Sequence, residues 1–100
     1  MRCFYILVHG TLSWRTELAP GDDPEAFRPA GFYCHRYVLA SGDDEAKDKA
    51  FDRVRRNLDK QTGWIGAGLA VLDLQAEEVV EAPMHKVLKP DNRGHSFYTD

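Results

Sequence analysis

Residues 31–51 read GFYCHRYVLASGDDEAKDKAF, and the change of rhythm inside this stretch decides the fold. From Phe32 to Ala40, aromatic and branched residues follow one another as they do in a strand, with Gly31 opening the run and Ser41 and Gly42 ending it. Past Gly42 the period becomes helical. Ala46, Ala50, Phe51, Val54 and Leu58 fall on one stripe, and Glu45, Asp48, Asp52, Arg55, Arg56 and Asp59 occupy the rest. Ser41 or Asp43 is placed to cap the first free N–H groups. The acids at 43–45 suit the positive end of the helix dipole, and Gly63 supplies the stop.

Working outward, Cys3 to His9 (CFYILVH) reads as a first strand, extendable through Thr11 to Trp14. Residues 15–31 contain TELAPGDDPEAFRPAG, whose three prolines and two glycines exclude a long regular element. They read as an irregular surface loop anchored by Leu18 and Phe27. Beyond the helix, residues 68–76 alternate as a third strand that can continue to Pro83. The tail has a turn at Pro90–Gly94 and a short strand-like run at His95–Tyr98. The expected architecture is therefore α+β: one domain over 1–100, with a small, mostly antiparallel sheet (β-β-α-β plus a short C-terminal strand). One helix packs on one face. If the strands flanking that helix are parallel, a right-handed crossover is expected.

Composition bounds the function. The chain of 100 residues is 43% hydrophobic and 29% charged, with a net charge of −3, ordinary values for a globular domain. A mild acidic balance argues against nucleic acid or an anionic membrane as partner, since either calls for concentrated Lys and Arg. The apolar run Phe4–Val8 is too short for a signal-peptide core, and no stretch approaches the ~20 apolar residues of a membrane span. Two cysteines, Cys3 and Cys34, make no disulfide framework. A cytoplasmic protein with free thiols is the expected setting.

The cluster Cys34–His35–Arg36 dissolves once it is placed on a strand, because neighbouring side chains point to opposite faces. Cys34 and Arg36 go with Phe32 and Val38, while His35 goes with Tyr33, Tyr37 and Leu39. Cys34 and His35 therefore do not ligate one metal together. Cys3 and His9, six residues apart on one strand, are separated by ~20 Å. None of His9, His35, His85 and His95 stands in metal-ligand spacing, and neither a metal nor a cofactor is expected. TGWIGAG, residues 62–68, is glycine-rich but follows a helix, the wrong order for a phosphate cradle. Ser13, Ser41 and Ser96 sit in no nucleophile elbow. Cys34 lacks the helix N-terminus that activates thiols, so it reads as a small buried hydrophobe.

Arg36 is different. A guanidinium in mid-strand among apolar neighbours requires a carboxylate, a carbonyl or a bound anion. Asp73 on the third strand is the expected partner. An anion-binding alternative gathers Arg36 with His85, Lys86, Arg93 and His95 of the tail beneath the 15–31 loop.

The quoted motifs together resemble an uncharacterised group of small bacterial proteins of ~100 residues. ILVHG matches its opening strand and turn, GFYCHRYVLA its GFYxxR[YF]VxA strand, DDEAKDKAF its acidic-capped helix, LDLQAEEVVEAP its EE-V strand, and GHSFYTD its terminal Gx[ST]FY motif. Cys34–His35 stands where that group has a small polar pair. The resemblance implies the same fold and a bacterial cytoplasmic setting, and it brings no established activity.

A single helix covers one side of such a sheet. The other side carries Tyr5, Tyr33, His35 and Tyr37, which resist exposure as one broad patch. A two-fold homodimer through that face is the leading expectation, in a non-enzymatic module that binds another protein; the alternative cover is the 15–31 loop with the C-terminal tail. The alternatives are the anion- or small-molecule-binding domain built on Arg36, and a small hydrolase using Cys34 with a histidine.

Overall fold

The computed structural model describes residues 1–15, 28–88 and 95–99. Leu18, Phe27 and Arg93 lie outside them. The elements are β1 (Arg2–Trp14), β2 (Gly31–Ala40), α1 (Asp43–Thr62), β3 (Ala70–Ala82), the 3-10 turn η1 (Met84–Leu88) and β4 (Ser96–Tyr98). The sheet order is β3-β1-β2-β4, and every neighbouring pair is antiparallel. This is the expected α+β class, with one helix on a small sheet. Because β2 and β3 both run against β1, they are parallel to each other with β1 between them. The helix therefore crosses over a strand that precedes it in the chain.

Strand periodicity sorts the side chains. On β1, Phe4, Ile6, Val8 and Leu12 are buried, and they face Val38, Arg36 and Cys34 of β2 and Leu72 and Leu74 of β3. α1 lies over this face with Ala46, Ala50, Val54 and Leu58 fully buried. Four residues per step keeps one stripe on the sheet. The two alanines let the first half of the helix approach closely, and Val54 and Leu58 fill the wider end. Each of the larger aliphatic side chains contributes ~1.5–3 kcal/mol by leaving water. Trp14, Trp64 and Phe97 close that end of the core through edge-to-face contacts at 4.9 and 5.7 Å.

The helix ends follow the sequence only in part. Gly63, at φ 72°, takes the left-handed conformation that terminates α1, and its N–H donates to Asp59 O. At the other end, Gly42 is the N-cap and no side chain caps the N–H groups. Ser41 instead donates its hydroxyl (2.6 Å) and backbone N–H (3.4 Å) to Glu45. The Glu45 carboxylate thus reaches back one residue past the Gly42 N-cap, a variant of the return bond that an N3 acid makes to the N-cap in a capping box. Ser41 mainly, with Lys49 adding to it, holds the Glu45 carboxyl down at about 2.

Two glycines sit within strands, each beneath an aromatic ring of its cross-strand partner. A Cβ on Gly10 would lie 2.3 Å from the Phe32 ring, and one on Gly31 would lie 2.5 Å from the Tyr98 hydroxyl. The glycines are the space the rings occupy. β3 also carries a bulge: Leu7 pairs with Glu78 but Val8 with Ala76, leaving Glu77 as the extra residue. The bulge exchanges the two faces of β3. Ala70, Leu72 and Leu74 face the helix before it, and Val79 and Glu81 after it.

Candidate functional site

The face away from α1 is laid out by the register. Tyr5 stands opposite Tyr37 and Val80, Leu7 opposite His35 and Glu78, and His9 opposite Tyr33 and Gln75. These rings form two clusters, Tyr5–His35–Tyr37 and His9–Tyr33–Tyr98, with Leu7 in the row between them. Tyr5 stacks on His35 at 5.7 Å, His9 lies parallel to Tyr33 at 4.4 Å, and His35 meets Tyr37 edge-on at 5.9 Å. Desolvation, with the Glu78 charge behind it, raises the Tyr5 phenol. Among the described residues, five large apolar side chains stay well exposed: Met1, Tyr33, Val71, Val80 and Met84. Tyr33, Val71 and Val80 all belong to this face, Val71 being 70% exposed and the other two 43%. η1 leads from β3 across to β2, where Val87 borders the same groove as Tyr37 and Leu39. All four expected interface residues, Tyr5, Tyr33, His35 and Tyr37, therefore share one surface.

At the β4 end of that surface is a polar chain that sequence reading missed. Glu77 Oε1 lies 3.3 Å from His9 Nδ1, and the Tyr98 hydroxyl lies 2.6 Å from His9 Nε2. The β1 strand, the β3 bulge and β4 contribute one group each. Tyr98 reaches β1 only because Gly31, on the strand between, has no side chain.

Of the expected anion-binding residues, Arg36 and His95 lie together, and His85 and Lys86 lie on η1. Arg36 is 1% exposed on the helix face, and its Nη1 donates to His35 O at 2.7 Å. The expected pairing with Asp73 is not formed. Asp73 stands opposite Thr11, Arg36 opposite Ile6, and the two point to opposite faces, ~17 Å apart along β1. His95 lies beside Arg36 and packs edge-on against Phe32 at 4.9 Å. Burial and then the Arg36 charge push His95 down to about 4. Neither of its ring nitrogens has a hydrogen-bond partner among the described residues. His85 is exposed and Lys86 half-buried on η1. Cys34 is 7% exposed, and burial raises its thiol, outweighing the opposite effect of Arg36. This is the reverse of an activated nucleophile. Among the described residues, no three His, Cys, Asp or Glu side chains gather closely enough to hold a metal ion. TGWIGAG is a turn pinned by Asp59, whose Oδ1 accepts from Gly66 N–H at 2.7 Å.

The outer edge of β2 is guarded. Beyond Tyr33 it has no strand partner among the described residues. Its carbonyls at His35, Tyr37 and Leu39 accept from Arg36, Arg53 and Lys49 at 2.7–2.8 Å. On β3, Leu72 O accepts from Arg55 at 3.4 Å. Cations over edge carbonyls discourage strand addition. Lys49, Arg53 and Arg56 also line an open groove of ≈ 550 Å³ between α1 and this edge. No helix among the described residues is long and apolar enough to cross a membrane.

No family model matches the chain, and no curated protein or solved structure matches it either. The motif resemblance stands on its quoted residues alone.

Proposed function

We propose that the protein is a non-enzymatic, homodimeric interaction module of the cytoplasm that buries its open sheet face against a second copy. The observation that carries this reading is the set of exposed apolar side chains along one surface, with Val80 in the row of Tyr5 and Tyr37, Tyr33 in the row of His9 and Val71 in the row of Ser13. β1 and β3 run for 13 residues and β2 for 10. At ~3.3 Å per residue and ~4.8 Å between strands, the three give a flat footprint of roughly 570 Å². Side-chain relief brings this toward the ~800 Å² that each partner buries in a standard interface.

Charge favours face over edge. The β2 edge is occupied by cations, and β3 edges brought together would oppose Glu77, Glu78 and Glu81 across the seam. Two sheets stacked face to face leave the β2 cations aside; Glu78 and Asp73 stand on that face too, but among aromatic and apolar side chains. The groove of Lys49, Arg53 and Arg56 meets the dimer face at Tyr37 and Leu39, and its helix side stays open to an acidic segment of another protein. Light scattering tests the reading. A mass of twice 11.4 kDa is expected, falling to one chain in Tyr37→Glu, which sets a carboxylate into the ring layer beside Tyr5, where Glu78 already adds negative charge. A single-chain mass for the unaltered protein at high concentration, or an unchanged dimer in Tyr37→Glu, would refute it.

A further inference from the structure

We propose that Glu77, His9 and Tyr98 form a proton relay that makes Tyr98 a nucleophile toward uncharged, activated acyl groups. Three independent features build the arrangement. The β-bulge turns Glu77 toward His9, Gly31 opens the passage through which Tyr98 crosses β2, and the Tyr33 ring lies parallel to His9 at 4.4 Å, 9° between planes. Bulges that re-aim a side chain are common beside functional sites.

The chemistry follows from the order of the groups. A carboxylate 3.3 Å from Nδ1 favours the tautomer that carries its proton there. Nε2 is then an acceptor, and the Tyr98 hydroxyl at 2.6 Å donates to it. As Tyr98 Oη bonds to an acyl or sulfonyl centre, the bond from that centre to its leaving group breaks. The phenol proton passes to His9 Nε2, and the imidazolium so formed faces Glu77. A nucleophile, a base that takes its proton and a carboxylate that orients the base is the general pattern of an activated side chain, and here it predicts stoichiometric modification of Tyr98 without turnover. Tyr98 is the reacting group, and His9 and Glu77 act through it.

The neighbourhood selects the class of reagent. Asp73 stands on the same face opposite Thr11, so its carboxylate, together with that of Glu77, disfavours phosphates and other anions. Tyr33, 43% exposed, offers an aromatic wall for a flat acyl donor. The relay lies four residues along β1 from Tyr5, ~13 Å away, on the proposed dimer face between the rows of Val80 and Val71, so its labelling is read at protein concentrations dilute enough for a single chain.

The chain has four tyrosines, so it carries its own controls. The whole protein is treated with phenylmethylsulfonyl fluoride near neutral pH, and the sulfonylated residue is read by peptide mass spectrometry. Tyr98 is expected to react first, ahead of the more exposed Tyr33. His9→Gln keeps a hydrogen-bond partner for the hydroxyl but removes the base. It should slow Tyr98 labelling by about 10²-fold, the usual scale of general-base assistance, and leave Tyr33 unchanged. Glu77→Gln should slow it as well, with Glu77→Asp restoring part of the rate. Labelling of Tyr33 before Tyr98, or a Tyr98 rate that His9→Gln leaves alone while circular dichroism shows the fold intact, overturns the proposal.

Discussion

Replacing Gly31 with alanine tests how tightly β4 and the His9 site are bound into the sheet. A Cβ at this position would lie 2.4 Å from Gly10 O and 2.5 Å from the Tyr98 hydroxyl, about 1 Å inside ordinary contact. Tyr98 can swing aside, but the Gly10 carbonyl belongs to the central strand and moves only if β1 and β2 separate. Overpacking of this kind costs ~1–3 kcal/mol. Losing the Tyr98–His9 hydrogen bond adds ~0.5–1.5 kcal/mol. Alanine returns ~0.4–1 kcal/mol by restricting the unfolded chain. The net expectation is a loss of about 2 kcal/mol, a fall in Tm of ~8–16 °C for a domain this size. Thermal unfolding followed by circular dichroism measures it, and NMR of the His9 ring reports whether Tyr98 has left. In a Tyr98→Ala background the same substitution should cost less, because one of its two obstacles is gone. A Gly31→Ala protein within ~0.5 kcal/mol of the parent, with the Tyr98–His9 contact retained, would refute the reasoning.

Acid should weaken the fold through two groups, both depressed in the folded state. Glu45, held at about 2, contributes stability that is complete above its ordinary 4.5 and is lost as pH falls toward 2. The advantage of the parent over Glu45→Gln should shrink across that window in urea titrations. His95 is neutral in the fold down to about 4, against an ordinary 6.5. The unfolded chain therefore takes up the proton first, and stability falls as pH drops from 6.5 to 4. His95→Phe should flatten the profile there, and an unchanged profile would contradict the placement of His95 beside Arg36. Finally, Lys49→Ala combined with Arg53→Ala uncovers the Leu39 and Tyr37 carbonyls. It should produce concentration-dependent aggregation with added β signal in the infrared; a variant as well behaved as the parent would show that these cations do not guard the edge.

Local pattern made much of the fold readable. The alternation of GFYCHRYVLA gave β2 its bounds, the spacing of Ala46, Ala50, Val54 and Leu58 gave α1 its buried stripe, and Gly63 marked its end. What escaped were features that depend on register between distant segments. The run AEEVV has no alternation because the bulge at Glu77 exchanges faces within it. Without the bulge's position and the pairing with β1, Asp73 looked like a partner for Arg36. His9 and Tyr98 are 89 positions apart, and no spacing rule joins them. The usable signal was glycine inside a strand, at Gly10 and Gly31, where another group comes close. η1 had no periodicity to announce it, and the guarding of β2 by Lys49 and Arg53 needs the helix laid along that edge.

The most direct test of the open-face assembly is solvent access to the Val71 and Val80 methyl groups, read as relaxation by a soluble gadolinium chelate over a range of protein concentrations. The account predicts that both methyls become shielded as concentration rises and stay accessible throughout in Tyr37→Glu. Equal relaxation of both at every concentration, in the parent and the variant alike, would contradict it.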